Sequence, residues 1–151
     1  GAAWCGSTAG DQDTRPAPGY ELLELDTVFS VCRLPLDADI AWAMGKPAEL
    51  VSIVRSTSEA QGTTVICDVA IVPEGVEADR GWHGFRFAGA FAFGETGVLE
   101  SVLRGLADAG VPVLAVSTFE TDYILVKAER VDRLKRELTA AGHTVGRLAT
   151  S

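Results

Sequence analysis

Histidine is nearly missing from this chain, which carries only His83 and His143. Its three cysteines, Cys5, Cys32 and Cys67, are odd in number, far apart and in no CxxC spacing. That pattern argues against a disulfide framework and against a cysteine zinc site, and it fits a reducing, cytoplasmic compartment. Basic excess is lacking too: 13 Lys and Arg face 21 Asp and Glu, for a net charge of −8. A surface of that sign repels phosphate backbones and anionic membranes, so neither nucleic acid nor membrane is an expected partner. No apolar run is long enough to span a bilayer, and no charged-then-apolar leader opens the chain. Catalysis needs a nucleophile with a base, paired carboxylates or clustered metal ligands. Two isolated histidines and scattered cysteines supply none of these, so an enzyme is not expected, and no metal or cofactor.

What is present is an ordinary globular composition, 47% hydrophobic and 23% charged over 151 residues. That length suits one compact domain or two very small ones. Residues 1–18, GAAWCGSTAGDQDTRPAP, are small, polar and proline-ended, and read as a flexible tail.

The C-terminal half is the more legible. Phe85, Phe87, Phe91 and Phe93 alternate, with Gly89 in the gap, so 85–93 reads as a strand with one buried face. A Gly94-Glu95-Thr96-Gly97 turn follows. Val98, Leu99, Val102, Leu103 and Leu106 then recur at helical spacing, with Thr96 as candidate N-cap, Gly110 as C-terminal stop and Pro112 beyond. The β-branched run 111–118 and Tyr123–Val126 form a hairpin across Phe119–Asp122. Val131, Leu134, Leu138 and Ala141 mark a helix over 128–141, ended by Gly142, and 144–148 closes with a strand. The order is β-α-β-β-α-β, the ferredoxin-like arrangement.

The N-terminal half reads as a worn copy. Strands fall at Phe29–Leu34, Leu50–Arg55 and Thr63–Cys67, with a short helical stretch at Asp37–Met44 and a turn or two from Asp68 before Pro73 and Gly75. VSIVRST (51–57) sits opposite VLAVSTF (113–119), and TTVICD (63–68) opposite DYILVK (122–127). The expected fold is therefore α+β: two tandem βαββαβ units, 19–82 (degenerate) and 83–149, with antiparallel sheets and helices on one face.

The glycine-containing turn GETGVL (94–99) and the hairpin AVSTFETDYILV (115–126) resemble ACT domains. More narrowly they resemble tandem-ACT proteins, including the cytosolic arginine sensors of the TOR pathway; FSVCRLP (29–35) and VSIVRST (51–57) fit the first half. The resemblance covers about residues 20–148. It implies a regulatory protein that binds a free amino acid in a cleft between its two units, and a regulated partner that the residues do not identify.

Such a ligand presents a carboxylate and an ammonium. Free amides at the N-terminus of helix 97–109 would take the carboxylate, with Gly94 and Gly97 allowing close approach. Glu95 and Asp122 are the acids in the right segments for the ammonium or a cationic side chain, which admits arginine or lysine. By the resemblance to the arginine sensors, Glu95 falls on an acidic ligand-contacting position in the turn and Asp122 on the acidic position of the hairpin. The ligand-binding set is then Gly94, Glu95, Thr96, Gly97, Val98, Ser117, Thr118, Thr121 and Asp122. Leu34 and Asp37 come from the matching turn of the first unit, and Ser56 or Thr57 could add a hydroxyl. Simpler roles stay open: Glu95 complementing a helix dipole, Asp122 forming a turn. A protein-interaction or dimerisation module without a small ligand is the alternative, since open sheet edges pair readily and allow a homodimer.

Overall fold

The computed structural model describes residues 19–45, 48–88 and 98–148. It is a mixed α/β chain, mostly antiparallel, with seven strands and two α-helices among the described residues. The chain divides into two units: an inserted one, residues 25–84, and an enclosing one built from the residues up to 24 and those from 85 on. This differs from the expected division at 82/83, because residues 19–24 belong with the C-terminal half.

Two long strands carry the change of unit. The first, β1 (Glu21–Leu34), buries Leu22 and Glu24, then Leu25, and later Cys32 and Leu34. Its alternation slips phase at Glu24–Leu25, where the enclosing unit gives way to the inserted one. A one-residue slip turns side chains to the opposite face, which is what a strand serving two cores requires.

In the inserted unit, β1 is followed by a 3-10 turn at Ala41–Met44, β2 (Ser52–Ser56), β3 (Gly62–Asp68), a 3-10 turn at Val69–Ile71 and β4 (Glu77–Phe87). The strands lie in the order β2-β3-β1-β4. Cys32 is opposite Val65, and Ser30 opposite Cys67, in the antiparallel β1–β3 ladder. Cys32, Leu34, Ala43, Val65 and Cys67 form its small core. Where a helix over Asp37–Met44 was expected, only 41–44 is wound: Pro35 sits in the preceding turn, and the Asp39 carboxylate accepts from the Ala41 amide. Likewise the second turn stops at Ile71, ahead of Pro73. The opening of β4, Glu-Ala-Asp-Arg-Gly, has no apolar alternation to announce it.

The enclosing unit continues with α1 (Val98–Asp108), β5 (Leu114–Ser117), β6 (Asp122–Lys127), α2 (Val131–Ala140) and β7 (Thr144–Arg147). Leu99, Val102 and Leu106 of α1 and Leu134 and Leu138 of α2 pack with Leu22, Phe85, Phe87, Ile124 and Val126 into one core. Both helices close on glycines of positive φ, Gly110 at 74° and Gly142 at 93°. The amides of Val111 and His143 reach back to the Leu106 and Leu138 carbonyls, both at 2.9 Å. This is the 6→1 closure that a left-handed residue permits. The strand order is β7-β1-β4-β6-β5. A plain βαββαβ unit would set β7 beside β4; here residues 21–24 lie between them, parallel to β7, with Glu21 opposite Thr144. Buried Glu24 is satisfied by Lys135, whose Nζ lies 2.8 Å away.

Phe85 and Phe87 are buried as expected. Ala88 lies past the end of β4, and residues 89–93 of the expected strand, the expected turn 94–97 and the tail 1–18 lie outside the described residues. No helix among the described residues is long and apolar enough to cross a membrane.

Candidate functional site

The β5–β6 hairpin gathers four of the residues picked from sequence. Ser117 pairs with Asp122 in the ladder. Beyond them, the Thr118 amide donates to the Thr121 carbonyl at 2.8 Å. Two-residue hairpin loops favour turns of positive φ, and Phe119-Glu120 contains neither glycine nor asparagine. No described non-glycine residue has positive φ. The Thr118 hydroxyl closes the loop by another route: it donates to the Thr121 carbonyl at 3.0 Å and accepts from the Thr121 amide at 3.1 Å. Thr121 in turn donates its hydroxyl proton to the Phe87 carbonyl at 3.1 Å, tying the hairpin to the end of β4.

Both threonine protons are thus committed to backbone, and each hydroxyl keeps acceptor capacity. Ser117 is exposed. Asp122 is half-buried at the start of β6, and its carboxylate forms no ion pair among the described residues. The following Tyr123–Val126 is buried throughout, so Asp122 is the polar end of an otherwise apolar strand. A half-buried carboxylate on a rigid strand end suits a cationic group, through a charge-assisted hydrogen bond.

Of the turn residues, Gly94, Glu95, Thr96 and Gly97 lie outside the described residues, and Val98 opens α1. Leu34 and Asp37 belong to the inserted unit. Leu34 is a core residue and Asp37 is exposed. Their turn is held by groups the sequence reading passed over. Arg55 donates to the Leu36 carbonyl at 2.9 Å and the Ala38 carbonyl at 3.1 Å, and the Thr63 hydroxyl donates to Leu36 at 3.2 Å. A buried threonine directly opposite Leu34 in the ladder was the available signal for that anchor. Ser56 shares a hydrogen bond with Ser58, and the Thr57 carbonyl accepts from Gln61.

Neither described cysteine is poised as a nucleophile. Burial raises both thiols, and Cys67 is pushed up to about 12 by burial and then by the adjoining Cys32. Among the described residues no cluster of His, Cys, Asp or Glu could hold a metal ion. A cavity of about 270 Å³ opens between α1 and α2, lined by Ser101, Gly105, Glu137 and His143 among others, and no sequence-picked residue lines it.

Comparison with known proteins places this geometry. A crystal structure of protein Atu0741 from Agobacterium tumefaciens is 32% identical, with a TM-score of 0.78 over 89% of this chain and 97% of that one. The chain belongs to that protein's family. The model of the ACT domain matches residues 77–136, from the start of β4 into α2. Aspartate kinase from Synechocystis matches at 17% identity and TM-score 0.62, over 91% of this chain and 29% of the kinase. The regulatory subunit of aspartate kinase from Thermus thermophilus, in ligand-free form, matches at 13% identity and TM-score 0.58, over 80% of this chain and 96% of the subunit. At such identities the likeness is one of fold. A search of curated proteins returns no match.

Proposed function

We propose that this protein is a non-catalytic regulator that binds a free amino acid at an ACT-type site. The observation that carries the reading is where the ACT match falls. Residues 77–136 take in β4, residues 94–97, α1 and the whole β5–β6 hairpin. Every sequence-picked ligand residue from the C-terminal half lies inside that span; Leu34, Asp37 and the candidate hydroxyls of Ser56 and Thr57 lie outside it. The fold shared with an aspartate kinase regulatory subunit supports a regulatory rather than catalytic role. Both units follow the tandem ACT plan in this reading, with residues 19–24 added to the second.

The ligand carboxylate docks on free amides at the start of α1, and Asp122, with Glu95, takes the ammonium or a cationic side chain. Arginine and lysine are accordingly the first candidates, in keeping with the likeness of hairpin 115–126 to arginine sensors. A thermal-shift screen against the twenty free amino acids, with Asp122→Ala alongside, tests this. A ligand at a hundredfold excess over its Kd adds about 2.7 kcal/mol of stability. A shift in the wild type that Asp122→Ala loses supports the site. No shift with any amino acid, on protein unfolded and refolded to strip bound ligand, removes the reading.

One observation favours an interaction module instead. Phe119 is 73% exposed at the hairpin tip, beside β5, which ends the strand order with exposed Ala115 and Ser117. Among the described residues β5 is an edge strand, and an edge strand beside an exposed aromatic suits a second chain, including a second copy of this one. Sedimentation of Phe119→Ser against the wild type separates the two readings.

A further inference from the structure

The first described residues are fastened to the far end of the sequence by contacts that centre on His143. The Tyr20 amide donates to His143 Nδ1 at 3.0 Å. The Thr144 amide donates to the Tyr20 carbonyl at 2.9 Å. The two rings stack with centroids 5.4 Å apart and 19° between planes. Just before them, Gly19 lies so close to the Gly142 carbonyl that a Cβ would collide with it. From this clasp β1 runs into its parallel pairing with β7, residues 21–24 against 144–147.

An imidazole nitrogen that accepts from an amide must be unprotonated, so the ring proton of the neutral form sits on Nε2. A second proton on Nδ1 would convert an acceptor into a donor aimed at another donor. We propose that His143 is a proton-operated latch: neutral, it holds the start of β1 on the α2–β7 turn, and protonated, it releases residues 19–24 from β7.

The surroundings set the sign. His143 is 8% exposed, and burial lowers its proton affinity below the ordinary histidine value of 6.5. From α2, Glu137 shares the cleft that His143 lines, and it is itself paired with Arg133 at 3.4 Å. From the segment that leads into β1 comes Tyr20, and from β1 itself Glu21, exposed and opposite Thr144. From α1 comes Ser101, which carries no charge. Burial opposes a charged ring and sets the direction. Above about pH 6.5 both closed and open forms hold a neutral ring and the latch is fully present. As pH falls from there toward the lowered value of the closed form, the open form binds the proton first. The opening equilibrium then rises by at most about tenfold per pH unit.

Hydrogen exchange between pH 7.5 and 5, corrected for intrinsic rates, reads the latch at the Tyr20 and Thr144 amides. The chain has two histidines, which makes the controls simple. In the wild type and in His83→Gln, protection at those two amides should fall on acidification. In His143→Gln, which keeps an acceptor but cannot titrate, it should be independent of pH. Constant protection in the wild type, or a fall that survives in His143→Gln, overturns the proposal. Should that variant fail to fold, the His143 ring is titrated directly by NMR. Titration below the ordinary histidine value, with the proton on Nε2 at neutral pH, supports the latch; titration at or above that value overturns it.

Discussion

Replacing Thr121 by valine isolates the bond that ties the candidate hairpin to its sheet. Valine keeps the β-branched shape and strand preference of threonine and exchanges the hydroxyl for a methyl. What is lost is the 3.1 Å bond to the carbonyl of Phe87, a residue only 1% exposed. A net intramolecular hydrogen bond is worth about 0.5–1.5 kcal/mol, and shelter from water at the Phe87 end argues for the middle of that range. Urea unfolding followed by circular dichroism should show a loss of about 1 kcal/mol with an unchanged m-value. For a folded region of this size that is a melting-point drop of about 3–5 °C. Thr121→Ser keeps the oxygen and should recover most of the loss. A valine variant within about 0.3 kcal/mol of wild type, or a serine variant as unstable as the valine one, would refute the assignment of this bond as the tie.

Further substitutions test the remaining supports. Gly19→Ala forces a Cβ into the Gly142 carbonyl and should destabilise the enclosing unit by at least about 1 kcal/mol, measured by thermal unfolding. Leu138→Ala empties a side chain that is 2% exposed in the main core and should cost about 2–5 kcal/mol in denaturant unfolding. Arg55→Ala removes two bonds to exposed turn carbonyls; stability should change by less than about 1 kcal/mol, while amide exchange over 36–39 accelerates. Cys67 stays protonated in the fold well above the ordinary thiol value of 9.0, up to about 12. Its stabilising contribution is therefore complete below pH 9 and is lost as pH rises toward 12. Wild type should lose stability over that window more steeply than Cys67→Ala.

The enclosing unit was readable because its signals are local. Apolar spacing at Leu99, Val102 and Leu106, alternation at Phe85 and Phe87, and stop glycines at 110 and 142 each act within a few residues, and the structure keeps all of them. What escaped was non-local. The clasp of Tyr20 on His143 joins positions 123 apart, and no periodicity encodes it. The placing of residues 21–24 between β7 and β4 is likewise a choice of partner strand, invisible in the strand itself. In the inserted unit the helices shrink to single 3-10 turns, so the 3.6-residue rhythm that would mark them is missing, and the polar start of β4 hides a strand.

The candidate site divides the same way. The hairpin residues Ser117, Thr118, Thr121 and Asp122 come together because a short loop between two β-branched runs leaves them nowhere else to go. That the threonine hydroxyls close the turn depends on backbone geometry at Phe119-Glu120, which composition does not reveal. Arg55 is exposed and lies 17 and 19 positions from the carbonyls it holds, so nothing nearby in sequence marks it.

In the proposed function a free amino acid binds at the Asp122 end of the hairpin. Isothermal titration calorimetry with arginine and lysine, then the remaining amino acids, on refolded ligand-free protein tests it most directly. Saturable one-site binding is expected for at least one amino acid, weakened at least about tenfold in Asp122→Asn, the factor that corresponds to losing about 1.4 kcal/mol of a charge-assisted bond. No heat from any amino acid, or binding that Asp122→Asn leaves untouched, would contradict it.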